Sequence, residues 1–237
     1  MLGVLGGMGP LATADFFHKI LLATPAECDE DYIPLLIASD PRIPRRTPAI
    51  LGGGTSPLPA LRAIRDRLLG AGATMLAMPC NTSHYWYGDL SRDCPVPFIS
   101  IVEAGVAELA LLAKAGDRIG MIGTSATLVG RVFDARLAAA GFAPLLPSED
   151  TLDRSILPAI MSVKVGRTQS AGEMLAPVVT DLLGRGAAAV LLACTEVPVA
   201  LDAIDSPVRA HCVDTTAALA RACVSAWRAG PGAPVET

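Results

Sequence analysis

Two of the six cysteines lie in closely similar sequence contexts. Cys80 ends the apolar run that begins at Ala77, Cys194 ends the apolar run that begins at Leu191, and hydrogen-bonding residues follow each of them. A thiol can donate a proton, and its thiolate can act as a base or a nucleophile. Inversion at a carbon centre requires one such group on each face of the substrate. The matched pair therefore predicts two opposed acid/base groups around one carbon.

A proline-bounded loop at residues 40–47 carries three arginines, Arg42, Arg45 and Arg46. Proline stiffens the chain, and a guanidinium can bind a carboxylate through two parallel N–H groups. The residues alone leave two interpretations open, a carboxylate site and an ordinary solvated basic loop. None of the three lysines by itself indicates pyridoxal phosphate chemistry, and Lys164 is typical of an exposed helix end.

Cys80 also has a possible histidine partner four residues later. Cys80 and His84 would share a face if a helix began at Asn81. A thiolate activated by histidine is the nucleophile of a cysteine hydrolase, so this class is the rival enzyme prediction. The hydrolase leaves Cys194 without a role, and a capping or buried histidine accounts for His84 equally well.

The segment at residues 7–12 fits the G-x-G-x-x-A dinucleotide fingerprint after a strand. The acidic residue that usually accompanies this fingerprint lies about 20 residues further on. Here the best candidate, Asp40, comes later and is followed by Pro41. A structural turn and a loop whose amides face a small carboxylate at a helix N-terminus are the other two interpretations.

Apolar runs alternate with amphipathic stretches along the chain, which is typical of a parallel sheet flanked by helices. We predict strands over 2–5, 33–38, 74–78, 118–122 and 188–193. We predict helices over 10–22, 59–69 and 128–140. The second half repeats the order of the first, with Gly3 aligned to Gly120. Both cysteines follow strands at the carboxyl edge, where open α/β sheets bind ligands.

The composition limits the classes of function. The chain has 237 residues, is 51% hydrophobic and carries a formal net charge of -4, with no basic face for a nucleic acid. No apolar run approaches the ~20 residues that span a bilayer, so no membrane partner is expected. The start of the chain lacks a basic leader and the cysteines show no CxxC spacing. We therefore expect a soluble cytoplasmic protein with reduced thiols and no zinc ribbon.

Four motifs occur together in this order: Gly6-Gly7-Met8-Gly9-Pro10, the loop Pro41-Arg42-Ile43-Pro44-Arg45-Arg46-Thr47, Pro79-Cys80-Asn81-Thr82 and Cys194-Thr195-Glu196. As a set they resemble the cofactor-independent aspartate/glutamate racemases, and the aspartate racemase branch most. The resemblance covers nearly the whole chain. It implies an α/β fold of two similar lobes related by a pseudo-twofold axis, with parallel sheets flanked by helices and the active site in the cleft.

The resemblance also implies a homodimer that acts on a small amino acid without metal, nucleotide or pyridoxal phosphate. We expect residues 1–100 plus 208–237 to form the N-terminal lobe, which carries Cys80. Residues 101–207 would form the C-terminal lobe, which carries Cys194.

The racemase resemblance assigns roles to individual residues. Cys80 and Cys194 match the paired catalytic thiols, and by resemblance to glutamate racemases Cys80 acts on the D enantiomer and Cys194 on the L enantiomer. Arg46 and Lys164 match the cationic positions that bind the substrate. The rest of the predicted substrate-binding set is Met8, Thr47, Asn81, Thr82, Thr124, Thr195 and Glu196.

The chain departs from the family pattern at two positions. Arg45 stands where the aspartate branch usually has an aspartate, and Ala193 replaces the usual glycine before the second cysteine. The sequence thus predicts a two-base racemase for aspartate or a related acidic amino acid. The alternatives are the cysteine hydrolase, a non-catalytic amino-acid sensor on the same scaffold, and relatives such as maleate isomerases and hydantoin racemases.

Overall fold

The computed structural model describes residues 1–230, which form two parallel sheets covered by helices. The strands are β1 (Leu2–Gly6), β2 (Leu35–Ser39), β3 (Met75–Ala77), β4 (Phe98–Ile99), β5 (Arg118–Gly123), β6 (Ala143–Leu145), β7 (Ala189–Ala193) and β8 (Cys212–Asp214).

The α-helices are α1 (Pro10–Ala23), α2 (Arg46–Leu51), α3 (Leu58–Gly70), α4 (Tyr87–Ser91), α5 (Ile101–Leu109), α6 (Ser125–Val129), α7 (Asp134–Ala139), α8 (Glu149–Thr151), α9 (Leu157–Lys164), α10 (Thr168–Gly184), α11 (Glu196–Asp202) and α12 (Thr215–Arg228). Short 3-10 turns lie at Asp29–Asp31, Thr82–Trp86 and Pro207–His211, and a π turn at Leu152–Ile156 leads into α9.

The two sheets have the same strand order. The first is β2-β1-β3-β4 and the second is β6-β5-β7-β8, with every neighbouring pair parallel. Strand β3 therefore corresponds to β7, and Cys80 and Cys194 follow equivalent strands. This arrangement confirms the predicted α/β fold of two similar halves.

Alternate residues of the strands divide the core into layers, because successive side chains point to opposite faces of a sheet. Ala189 and Leu191 of β7 face a central cluster, whereas Val190 and Leu192 face the outer helices of the second sheet. In β1, Leu2 faces the same central cluster. The central cluster thus takes side chains from both sheets.

Four helices fill the space around this central cluster. Phe16 of α1, Val106 of α5, Leu137 of α7 and Leu219 of α12 are each at most 2% exposed and belong to it. Burying a large apolar side chain contributes roughly 1.5–3 kcal/mol. These helices therefore hold the two sheets together as one hydrophobic unit.

The predicted helix over 128–140 is wrong as a single helix. The chain forms α6, then breaks at Gly130 and Arg131 before α7 begins, and Arg131 has a φ of 52. A left-handed residue cannot continue a right-handed helix. Helix α6 also begins earlier than predicted, because the Thr124 hydroxyl accepts a hydrogen bond from the Thr127 N–H at 3.1 Å and caps it.

The strand pairing bears on the predicted lobe boundaries. Strand β8 pairs with β7, so residues 212–214 belong to the second sheet, although the sequence had assigned 208–237 to the N-terminal lobe. Helix α12 then packs against α1 and α5. Residues 231–237 lie outside the described residues, and the other lobe boundaries stay a prediction. None of the helices within residues 1–230 combines the length and the hydropathy that crossing a bilayer requires.

Candidate active site

A cavity of about 490 Å³ opens where the carboxyl ends of the two sheets face each other. Its wall contains all eleven predicted site residues: Met8, Arg46, Thr47, Cys80, Asn81, Thr82, Thr124, Lys164, Cys194, Thr195 and Glu196. The sequence prediction did not include the other lining residues, which are Gly7, Gly9, Pro10, Pro41, Ile43, Arg45, Ser125, Leu157, Ile160 and Met161. The volume falls within the range typical of small-molecule sites.

Both thiols reach the cavity from the ends of equivalent strands. Cys80 follows β3 after Met78 and Pro79, and Cys194 follows β7 directly. Each cysteine is 5% exposed and carries a free thiol. The cavity therefore has one buried thiol from each sheet.

Cys194 is held by an adjacent carboxylate. Its Sγ donates to Oε2 of Glu196 at 3.0 Å, and the Thr195 hydroxyl donates to the same oxygen at 3.2 Å. Burial and the Glu196 carboxylate raise the pKa of the Cys194 thiol well above its usual range. In this arrangement Cys194 is a protonated thiol.

Lys164 completes this group of charges. Its Nζ lies 2.9 Å from Oε1 of Glu196, whose side chain is 3% exposed. Burial lowers the pKa of the Lys164 ammonium, the nearby Glu196 carboxylate raises it, and the net shift is upward. The ammonium therefore stays charged and balances Glu196 inside the cavity wall.

Cys80 has a different neighbour. The Ser83 hydroxyl lies 3.1 Å from Cys80 Sγ and 3.1 Å from Met8 Sδ, and its single hydrogen serves one sulfur at a time. A hydrogen bond received by a sulfur stabilises negative charge on it. Cys80 thus shares a hydrogen-bond donor with Met8, whereas Cys194 donates a hydrogen bond of its own.

Polar side chains join the two halves below the thiols. The Asn81 amide donates to the Thr215 hydroxyl at 3.0 Å, and that hydroxyl donates to the Leu192 carbonyl at 2.9 Å. Within residues 1–230, Asn81 Oδ1 is buried without a hydrogen-bond partner. Because a buried acceptor is costly to leave unpaired, this oxygen is suited to a ligand donor such as an ammonium.

Three threonine hydroxyls form a second polar contact between the two halves. Thr82 Oγ1 lies 3.1 Å from Thr124 Oγ1 and 2.8 Å from Thr127 Oγ1, and the last two are 3.0 Å apart. Thr82 follows the first sheet, whereas Thr124 and Thr127 follow β5 of the second. The three hydroxyls fix the two strand ends against each other.

His84 does not activate the Cys80 thiol in this geometry. Its Nε2 accepts the Ile101 N–H at 3.1 Å, so the ring hydrogen lies on Nδ1, which donates to the Cys80 carbonyl at 2.9 Å. Burial lowers the pKa of His84 to about 4. Both ring nitrogens bond to the backbone, and the side chain acts as a neutral brace rather than the base of a hydrolase.

The glycine loop, residues 7–9 after β1, packs against the proline-bounded loop at residues 40–47. A Cβ on Gly7, whose φ is +92, would lie 2.4 Å from the backbone of Asp40. The Asp40 carboxylate is bound by the Arg42 backbone and guanidinium, which lower its pKa to about 2. The Asp40 carboxylate therefore already serves its own loop as a hydrogen-bond acceptor.

Helix α9 supplies one wall of the cavity, and Lys164 is the only residue of this wall that the sequence prediction included. Leu157, Ile160 and Met161 line the cavity beside it, at positions one turn apart on one face of the helix. This i, i+3, i+4, i+7 spacing is visible in the sequence. Within residues 1–230 no group of three or more histidine, cysteine or acidic side chains is placed to hold a metal ion.

Comparisons with known proteins find similarity over nearly the whole chain. A family model described as Asp/Glu/Hydantoin racemase matches residues 5–223. The broad specificity amino-acid racemase RacX of Bacillus subtilis (strain 168) is 27% identical over 236 residues, covering 97% of this chain and 99% of that protein.

Solved structures show the same architecture. The structure of Picrophilus torridus aspartate racemase superposes with a TM-score of 0.82 at 28% identity, covering 95% of this chain and 93% of that one. A glutamate racemase from Francisella tularensis subsp. tularensis SCHU S4, in complex with D-glutamate, has a TM-score of 0.67 at 16% identity. That match covers 100% of this chain and 84% of the other, and it shows the shared fold.

Proposed function

The chain belongs to the Asp/Glu/hydantoin racemase family, and we propose that it interconverts the enantiomers of an acidic amino acid through Cys80 and Cys194. The observation that carries this proposal is the pair of buried thiols at the ends of equivalent strands, lining one cavity from two sheets. Stereoinversion requires proton removal on one face of the α-carbon and proton delivery on the other. One thiol from each sheet supplies both.

The charges of the cavity support an acidic substrate. Its wall contains three cations, Arg45, Arg46 and Lys164, and one carboxylate, Glu196, which leaves a surplus of two positive charges. An amino dicarboxylate carries one net negative charge, and a catalytic thiolate adds a second. The bound complex of an acidic amino acid is therefore close to neutral, which is favourable at low dielectric.

The hydrogen bonds of the two thiols support the following resting state and first step. Cys80 is the thiolate that removes the α-proton, and the electron pair of the C–H bond passes to the α-carbon and its carboxylate. Cys194 is the thiol that then delivers its proton to the opposite face and becomes a thiolate. An α-proton is far less acidic than a thiol of ordinary pKa ~8.5, so the carbanion must be stabilised. Arg46 and Lys164 supply positive charge for this.

The experiment that tests the proposal is incubation with single enantiomers in deuterium oxide, with α-deuteration and optical rotation followed together. Wild-type protein should deuterate and invert L- and D-aspartate or L- and D-glutamate. Cys80→Ala and Cys194→Ala should each reduce inversion by at least 100-fold. Cys28→Ala removes an exposed thiol outside the cavity and is the matched control.

The single-thiol variants also test the enantiomer assignment implied by the family. Cys80→Ala keeps only Cys194, so it should exchange the α-hydrogen of the L enantiomer without inverting it. Cys194→Ala should do the same with the D enantiomer. A cysteine variant that retains near wild-type inversion would overturn the two-base reaction, and tight binding without exchange would indicate a sensor.

The family resemblance supports two further proposals, which concern the oligomeric state and the location of the protein. We propose a homodimer, which sedimentation of the purified protein measures, and a cytoplasmic location, in which both thiols stay reduced. Oxidation that joins Cys80 to Cys194 should abolish activity, and reductant should restore it, because the reaction needs both thiols free.

A further inference from the structure

The three cationic side chains of the cavity wall differ in the partners that they already have. Lys164 is paired with Glu196 at 2.9 Å. The Nη1 of Arg46 donates to the carbonyls of Ile43 and Pro44, at 3.3 and 3.2 Å, and so helps to hold its own loop. Within residues 1–230, the Arg45 guanidinium makes neither an ion pair nor a hydrogen bond. Arg45 is therefore the uncommitted cation of the cavity wall.

Arg45 also differs in its position. It immediately precedes α2, is exposed, and still lines the cavity, so it stands at the mouth. The two thiols are 5% exposed and lie deep. A substrate whose α-carbon sits between the thiols must extend its side chain away from them.

Part of the cavity wall is apolar. Ile43, Ile160 and Met161 line the same cavity and cannot hydrogen-bond a charged group. A carboxylate at the end of the substrate side chain would be costly to bury against these residues alone. The Arg45 guanidinium, with its planar set of N–H donors, is suited to pair with it.

We propose that Arg45 binds the side-chain carboxylate and selects amino dicarboxylates over their uncharged amides. The inference rests on the proposed racemase function and names the substrate class of that site. It gives a role to Arg45, one of the two positions at which this chain departs from the family pattern. In this arrangement Arg46 and Lys164 are left to bind the rest of the amino acid.

The test compares Arg45→Gln with Arg42→Gln. Arg42 lies in the same loop and its side chain is 87% exposed, so its loss removes the same charge without touching the wall of the active-site cavity. For each protein, kcat/KM is measured with aspartate and glutamate and with asparagine and glutamine. Arg45→Gln should lower kcat/KM for the two acids by about 10-fold or more and leave the amides within about twofold. Arg42→Gln should leave the ratio of acids to amides unchanged.

Two outcomes overturn the proposal: a ratio of acids to amides in Arg45→Gln that equals the wild-type ratio, whether or not both rates fall, and wild-type turnover confined to the amides. If the wild type exchanges no α-hydrogen with any amino acid, the racemase function fails instead. Calorimetric binding of L-aspartate and L-asparagine to wild type and Arg45→Gln still decides the role of Arg45 in that case. Selective loss of L-aspartate binding supports it, and unchanged selectivity overturns it.

Discussion

At the residue scale, the two thiols occupy equivalent strand ends but have different hydrogen-bond partners. The Ser83 hydroxyl lies within hydrogen-bonding distance of Cys80, and Cys194 donates a hydrogen bond to Glu196. The proposed two-base reaction needs one thiolate and one thiol, and Glu196 favours the protonated form of Cys194. This role of Glu196 can be tested without turnover.

Glu196→Gln should lower the pKa of the Cys194 thiol. Burial would still act on Cys194, but the carboxylate that adds to the upward shift would be gone. The measurement is ultraviolet titration of thiolate absorbance in Cys80→Ala and in Cys80→Ala combined with Glu196→Gln, because the other thiols are common to both. A Cys194 titration that stays in place or moves upward would contradict the proposed role of Glu196.

His84 should make the folded state sensitive to acid. Above pH 6.5 its imidazole is neutral in both states and costs nothing. As the pH falls from 6.5 to about 4, the unfolded chain takes up a proton that buried His84 resists, so stability falls. A shift of this size corresponds to about 3 kcal/mol.

The measurement is the free energy of unfolding across this pH range in wild type, His84→Gln and His211→Gln. His84→Gln should be less stable at neutral pH but lose up to about 3 kcal/mol less between pH 6.5 and 4. His211 is exposed, so His211→Gln should follow the wild-type curve. If the free energy of unfolding changes with pH in the same way in all three proteins, buried His84 is not the source of the acid sensitivity.

The candidate site was predictable where its residues flank the two cysteines or belong to a recognisable motif. Thr195 and Glu196 follow Cys194 directly, and all eleven predicted residues line one cavity. The sequence prediction missed Ser83, whose contacts with Cys80 and Met8 depend on tertiary packing. It also missed the apolar face of α9, because packing of this helix beside the distant loops of the cavity depends on the fold. The hydrogen bonds from the His84 ring to two backbone groups were not predictable either, because Ile101 is distant in the sequence.

At the scale of secondary structure, the buried strands were the most predictable elements. Parallel strands covered on both faces are continuous apolar runs, so β1, β3, β5 and β7 lie within a residue or two of their predicted bounds. The 128–140 segment failed because its apolar periodicity continues through Gly130 and Arg131, although the backbone turns there. Periodicity indicates which face is buried, but it does not show where the backbone turns.

The glycine loop after β1 should not tolerate a side chain at position 7. Gly7→Ala would place a Cβ 2.4 Å from the Asp40 backbone at a φ of +92, so the loop must move. We expect a loss of stability on the order of 3 kcal/mol and at least a 10-fold fall in kcat, since adjacent Met8 lines the cavity.

Gly88→Ala is the control for Gly7→Ala. Gly88 is exposed in α4 and has nothing within 4 Å of an added Cβ, so this change should raise stability by up to about 1 kcal/mol. Urea unfolding and turnover of both variants give the measurement. Equal behaviour of the two variants would show that the loop is not constrained by Asp40.

At the scale of the whole molecule, the central cluster makes the two sheets interdependent. Leu2 of β1 and Leu191 of β7 belong to the same buried cluster, so neither sheet can unfold without exposing the other. We therefore expect one cooperative unfolding transition. The chain has two tryptophans to report on it, Trp86 in the outer layer of the first sheet and Trp227 in the central cluster.

Single-tryptophan variants Trp86→Phe and Trp227→Phe make this measurement. Within each variant, the fluorescence of the remaining tryptophan and the far-ultraviolet circular dichroism should give the same urea midpoint. A fluorescence transition of Trp86 that precedes the loss of secondary structure would show that the first sheet opens independently.

The unequal partners of Cys80 and Cys194 have a thermodynamic consequence for a racemase. Enantiomers are mirror images with identical free energies in water, so the equilibrium constant of their interconversion is unity. Microscopic reversibility then makes kcat/KM the same for both enantiomers, at every pH and in every variant. A change at Ser83 or Glu196 must therefore alter kcat/KM equally for both enantiomers, and the enantiomer that turns over faster must also have the higher KM.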